Sequence, residues 1–180
     1  MTGTRQRIVE TAATLFMQQG YAGSGLKQIS TDSAAPIGSL YHFFPGGKEE
    51  LAAETLRCAG DAYMHLVEAV FDASPDVVSG VRNCFAGAAA AMRESGFADA
   101  CPIATVALEV ASTNERLRQV TAEIFDGWLD AIARRLAEAG IDAQRAREVA
   151  HVLVASLEGG FLLGRAAQDT AALDSIGRSM

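Results

Sequence analysis

The sequence predicts an all-α protein. Three observations carry this. Alanine and leucine dominate, in a chain that is 49% hydrophobic with only four prolines. No stretch alternates apolar and polar residues as a half-buried strand does, and β-branched runs are short. Apolar residues instead recur at helical spacing between Gly, Pro, Ser and Asp punctuation, the pattern of helices with start and stop signals. At 180 residues the chain suffices for one large domain or two small ones with a real core.

The first helix is expected over about residues 4–19, with Ile8, Ala12, Leu15 and Phe16 as its inner stripe. Gly20 ends it, because glycine accepts a positive φ without a Cβ penalty. Residues 24–48 then read as two short helices around a tight turn, followed by a third helix start. Ser24 is the expected N-cap of the first, with Leu26, Ile29 and Ser33 on one face. Ala34 and Ala35 fill the turn, and Pro36 marks the start of the second short helix. Leu40 and Phe44, four apart, pack inward, which leaves Ile37, Gly38, Ser39, Tyr41 and His42 around the outside. A short helix with small, polar and aromatic groups outward suits a DNA groove. Pro45-Gly46-Gly47 breaks the chain before a long helix over about 48–73.

Later helices are expected after Ser74-Pro75, ending near Ser95-Gly96, and over about 102–112 behind Cys101-Pro102. Another follows the capping cluster Ser112-Thr113-Asn114 and reaches Gly140. Asp142 caps a helix over about 143–168, and a short one closes the chain from Thr170 to Ile176. The expected division is a DNA-binding head, 1–50, and a helical effector-binding and dimerisation body, 51–180.

Net charge is −7, but it is unevenly spread. Through Lys48 there are four basic residues against two acidic, and 11 against 20 thereafter. The asymmetry has the sign a DNA-binding head needs. Three cysteines without paired spacing (Cys58, Cys84 and Cys101) read as free thiols in a reducing cytoplasm. The most apolar run, 149–167, carries His151, Glu158 and Arg165, which a membrane span rarely tolerates.

These residues resemble a known family. Ile8, Ala12, Ala13, Leu15, Phe16, Gly20 and Tyr21, then Gly38-Ser39-Leu40-Tyr41 with Phe43-Phe44, then Gly46-Gly47-Lys48-Glu49-Glu50-Leu51, are similar to the DNA-binding domain of the TetR family of repressors. The segment Cys101-Pro102-Ile103-Ala104-Thr105-Val106-Ala107-Leu108-Glu109 resembles the effector-domain motif of the LmrA/YxaF-type subgroup. Three positions depart from the pattern: Ile37 stands where lysine is common, Phe43 where histidine is common, and Ala34 replaces the usual turn glycine.

The resemblance implies a homodimeric repressor that leaves a palindromic operator when a small apolar or aromatic effector binds. It implies phosphate contacts from Tyr41 and Lys48, dimerisation through the last two long helices, and a Cys101–Thr105 segment near the effector cavity. Subgroup members respond to flavonoid-like compounds and drugs. The residues themselves add His42, Ser24 and Lys27 as backbone contacts and Ile37, Gly38 and Ser39 as base-edge candidates. Phe85, Met92, Cys101, Pro102, Thr105, Phe125, Trp128, His151 and Phe161 are the effector-pocket candidates. Apolar residues surround 149–167 on nearly all sides, so that helix needs a second covering surface. Val152, Leu153, Leu157, Gly160, Phe161 and Gly164 are the expected dimer contacts, the two glycines permitting close backbone approach.

Chemistry is not expected. A phosphate-loop reading of Gly46-Gly47-Lys48 fails, because His42 stands at the first required glycine and Glu49 follows the lysine. His42, His65 and His151 lack neighbours for a metal site. No cofactor, no metal and no catalytic residue is expected, and the expected location is cytoplasmic. The alternative reading is a helical ligand- or protein-binding module that never meets an operator.

Overall fold

A computed structural model describes residues 3–180. They form nine helices: α1 (Thr4–Gly23), α2 (Leu26–Asp32), α3 (Ile37–Phe43), α4 (Gly47–Asp72), α5 (Val77–Glu94), α6 (Pro102–Val110), α7 (Glu115–Glu138), α8 (Ala143–Ala167) and α9 (Ala171–Ser179). The all-α expectation holds, with no strand among the described residues.

The stop signals act at the positions the sequence marks. Gly20 takes φ +74° and kinks α1, although one more helical turn follows it, to Gly23. Gly47 takes φ +69° where the chain enters α4. Asn114 Oδ1 accepts from the Leu117 amide at 2.9 Å and starts α7. Asp142 accepts from the amides of Gln144 and Arg145 and starts α8. Three caps differ from expectation. Gly25, not Ser24, precedes α2, and Pro36 is the N-cap of α3 and not its first helical residue. Asp76 caps α5 through the Ser79 amide at 2.8 Å, while the Ser74 hydroxyl donates back to the Val70 carbonyl.

The described residues group into two compact units, and the grouping differs from the 1–50 and 51–180 division. One unit holds residues up to 61 together with 101–124; the other holds 62–100 and 125–180. The reason is packing: α6 lies along α1. Ile103, Val106 and Val110 of α6 are buried within the same unit as Ile8, Ala12 and Phe16 of α1.

In the second unit, Val81, Phe85, Ala89 and Met92 of α5 form a core with Leu136 of α7, Ala146 and Leu153 of α8, and Leu173 of α9. Gly160 and Gly164 belong to this inner face of α8. A Cβ on Gly160 would stand 2.3 Å from a Leu173 methyl, and one on Gly164 would stand 2.8 Å from the Asp169 carbonyl. These glycines therefore serve packing inside one chain, and their expected role at a dimer seam is corrected. Leu153 is likewise buried in the protomer core, which withdraws it from a partner. Leu157 and Phe161 pack partly buried against the same core. The opposite face of α8 stays open: Val152 is 55% exposed, Leu162 69% and Leu163 58%. By length and composition α8 is the one helix among the described residues that could cross a membrane, but its inner face packs against α5 and α9.

Candidate nucleic-acid interface

The outer surface of α3 follows from what its inner surface buries. Leu40 and Phe44 are fully buried, so the residues between them turn outward. Ile37 is 45% and Tyr41 52% exposed. Gly38 and His42 are exposed beside them, and Ser39 is half-buried. A side chain at Gly38 would meet nothing within 4 Å, so that position is open to a close partner. The His42 ring stands edge-on to Phe43 at 5.1 Å. Lys27 on α2 is also exposed.

The turn that orients α3 is tied by short bonds. The Ser30 hydroxyl donates to the Ala35 carbonyl at 2.6 Å, and the Ala35 amide donates to the Ser30 carbonyl at 3.0 Å. Between them Ala34 sits at φ +51°, the left-handed region that glycine occupies without cost. From α1, the Arg7 guanidinium donates to the Ser33 carbonyl at 3.3 Å, and Arg5 lies over the Phe44 ring at 5.5 Å while pairing with Glu54.

Two expected phosphate contacts are placed differently. Ser24 is fully buried, and its hydroxyl donates to the Gly20 carbonyl at 2.7 Å. It cannot reach a phosphate from there, and its role as a DNA contact is corrected. Lys48 is half-buried, with its ammonium 4.4 Å from the centre of the Tyr21 ring, a cation–π distance. Burial lowers its pKa, opposed by the charge of Glu109.

Glu109 is the residue that sequence reasoning missed. It ends the Cys101–Glu109 segment on α6, yet its carboxylate accepts from the Ala22 amide at 2.7 Å, 87 positions away. It fills the space beside Gly20: a Cβ there would stand 1.6 Å from Glu109 Oε1. Gly20 is thus required twice, for its positive φ and for this carboxylate. The glycine was legible; its occupant was not. A second tie joins Glu49 at the start of α4 to Asn114 at 2.8 Å and Arg116 at 3.2 Å. The Asn114 bond foremost, then Arg116, holds the Glu49 carboxyl below its usual range.

The effector candidates do not converge on one cavity. Cys101, Pro102 and Thr105 lie in the first unit, where they build the start of α6. The Cys101 sulfur accepts from the Ala104 amide at 3.5 Å, Pro102 is the first helical residue, and the Thr105 hydroxyl donates to the Cys101 carbonyl at 2.9 Å. In the second unit Phe85 and Met92 are core. Trp128 joins Phe125 at 5.5 Å and Tyr63 at 6.3 Å in an aromatic cluster, and His151 is exposed, with its Nδ1 2.8 Å from the Arg147 carbonyl. An apolar cavity of about 50 Å³ does lie between α4, α5, α7 and α8, lined by Phe71, Cys84, Phe85, Ile132, Val154 and Leu157 among others. Of the candidates only Phe85 lines it. Burial pushes the Cys84 thiol up to about 11, so it stays protonated and unreactive.

A three-helix head with an outward second helix of a helix-turn-helix, on a chain whose remaining helices bury an apolar core, is the architecture of a DNA-binding transcriptional regulator. Comparison with known proteins agrees. Residues 8–55 match the model of the bacterial regulatory proteins of the tetR family, and residues 77–179 match the C-terminal domain of LmrA/YxaF-like transcriptional regulators. The chain is 36% identical to the HTH-type transcriptional regulator YxaF of Bacillus subtilis (strain 168), over 92% of this chain and 87% of that protein. It is 32% identical to the HTH-type transcriptional regulator LmrA of the same organism, over 94% of this chain and 90% of that one. A TetR transcriptional regulator from Legionella pneumophila superposes with a TM-score of 0.89 at 20% identity, covering 99% of this chain and 96% of that one. The chain belongs to the TetR family, with an LmrA/YxaF-like C-terminal domain. These families are transcriptional regulators and not enzymes.

Proposed function

We propose that this protein is a homodimeric cytoplasmic repressor that leaves a palindromic operator when a small apolar or aromatic effector binds. The observation that carries the DNA reading is the outer set of α3: Ile37, Gly38, Tyr41 and His42 exposed over fully buried Leu40 and Phe44. Two such helices in a dimer enter successive major grooves one helical turn apart. Tyr41, His42, Lys27 and Lys48 bond phosphate oxygens, Lys48 after swinging off the Tyr21 ring. Ser39, Gly38 and Ile37 meet base edges, where a hydroxyl reads several bases and an aliphatic group meets a thymine methyl.

The dimer reading is supported by the uncovered apolar side of α8, at Val152, Leu162 and Leu163. The effector reading is supported by the apolar cavity beside Phe71, Phe85 and Leu157. A volume of about 50 Å³ admits only a few atoms, so a larger ligand must part the surrounding helices. Such a ligand releases DNA if it prefers the state that binds operator poorly, and a coupling of about 1–3 kcal/mol weakens operator binding roughly 5- to 150-fold. The repressor role draws support from a 26% identical relative, the HTH-type transcriptional repressor DhaR of Mycobacterium sp. (strain GP1).

The test is a mobility shift of the full chain on DNA from upstream of its own gene. The expected result is a saturable shift competed by the same duplex and not by a scrambled one. Retention of neither duplex, from a chain shown to be folded, would favour the helical binding module without an operator.

A further inference from the structure

A second opening in the 62–100 and 125–180 unit has a different chemistry. A cleft of about 390 Å³ runs between α5 and α9, with Arg82, Asn83 and Ala86 on one side and Leu173, Asp174, Gly177 and Arg178 on the other. The size decides its interest: ligand sites run to roughly 300–1,000 Å³, and the apolar cavity is far below that. The floor is fixed by close packing, since Leu173 is fully buried and a Cβ on Gly177 would stand 3.0 Å from Phe85 Cβ.

Most polar groups of the cleft are already engaged. Asp174 accepts from the Thr170 hydroxyl at 2.9 Å and lies 4.0 Å from Arg93. The Asn83 amide donates to the Ser74 hydroxyl at 3.0 Å. The two arginines of the cleft carry no ion pair. Arg5, Arg57, Arg93, Arg116, Arg118, Arg135, Arg145 and Arg147 each pair with a carboxylate. Arg178 donates only to the Ser175 hydroxyl, at 3.1 Å. Arg82 makes no ion pair or hydrogen bond among the described residues; Asp76 feels its charge as the last of several influences on that carboxyl, the Ser79 amide being the first. Two guanidinia without an ion pair therefore share one cleft with the Asp174 carboxylate.

We propose that this cleft binds a small organic carboxylate, its anionic group on Arg82 and Arg178 and its hydrocarbon body over exposed Ala86 and the aliphatic stems of the two arginines. The guanidinium fork matches the plane of a carboxylate and gives paired, charge-assisted hydrogen bonds. The exposed methyl of Ala86 and the arginine stems add burial that a bare inorganic anion cannot use. The inference rests on neither the operator nor the effector in the apolar cavity.

Isothermal titration of the full chain without DNA, at constant ionic strength, tests it with hexanoate, hexanol and sulfate. Arg82 and Arg178 are exposed, so Arg82→Gln and Arg178→Gln retain the fold, which circular dichroism checks. Hexanoate is expected to bind saturably, and each variant to weaken it about tenfold or more. Hexanol and sulfate are expected to bind far more weakly than hexanoate. Absence of hexanoate binding, or equal binding by wild type and both variants, overturns the proposal. Hexanol matching hexanoate would mean apolar binding only, and sulfate matching it would mean an unspecific anion site; either result also overturns it.

Discussion

Ala34 is where the DNA-reading turn departs from what a side chain prefers. An L-residue with a Cβ loses roughly 1–2 kcal/mol in the left-handed region that Ala34 occupies at φ +51°. Part of the gain from glycine is returned as unfolded-chain entropy. Ala34→Gly should therefore stabilise the protein by about 1 kcal/mol and raise Tm by roughly 2–4 °C in thermal unfolding. A Tm unchanged or lowered would mean that the Ser30–Ala35 bonds already absorb the strain. That conformation was legible, because the family pattern keeps glycine there. The fate of Ser24 was not: a cap and a buried back-bond to Gly20 are both local options for a serine hydroxyl. Only the kink at Gly20 decides between them. Glu109 was hidden for the same reason, since nothing local announces a bond spanning 87 positions.

Helices were the most legible objects, and their faces the least. The inner pair Leu40 and Phe44 was readable from spacing alone, as were the break at Gly47 and the caps Asn114 and Asp142, while Gly20 kinks α1 where it was expected to end it. On α8 apolarity is nearly all-round, so the pattern cannot say which side faces its own chain. Packing assigns Gly160 and Gly164 to the inside. The effector cavity was less legible for a related reason: whether Phe85 or Met92 lines a void depends on how neighbours fill space, and of the two Phe85 does. Leu162→Glu or Leu163→Glu, on the open face, should dissociate the dimer in sedimentation while leaving helicity intact. Gly160→Ala, by contrast, should lower stability by crowding Leu173. A dimer that survives both glutamates would remove this face from the interface. At the start of α7, Arg118 first and then Gln119 hold the Glu115 carboxyl down to about 2. A depressed carboxyl stabilises the folded state above its ordinary pKa, near 4.5, and that contribution fades as pH falls towards 2. Amide exchange in the first turn of α7 should therefore lose protection over that window, and Glu115→Gln should remove the pH dependence. An identical acid profile in Glu115→Gln would show that the bond to Arg118 does not stabilise the helix start.

On the proposed contact set, the whole molecule carries its DNA affinity on few cations. With Lys27 and Lys48 each neutralising one phosphate per protomer, the slope of log K against log salt should be about −2 to −4 per dimer. Contacts to phosphate position the protein, while contacts to base edges choose the sequence. That division gives a sharp test of α3 as the reading helix. Fluorescence anisotropy would titrate wild type, Tyr41→Ala and Ser39→Ala against the operator, operator variants and a scrambled duplex at fixed salt. Tyr41→Ala should weaken every duplex by a similar factor, and Ser39→Ala should change the ranking of the operator variants. Tyr41→Ala binding every duplex as wild type does, together with an unaltered ranking for Ser39→Ala, would contradict the account and place the DNA contacts on another surface.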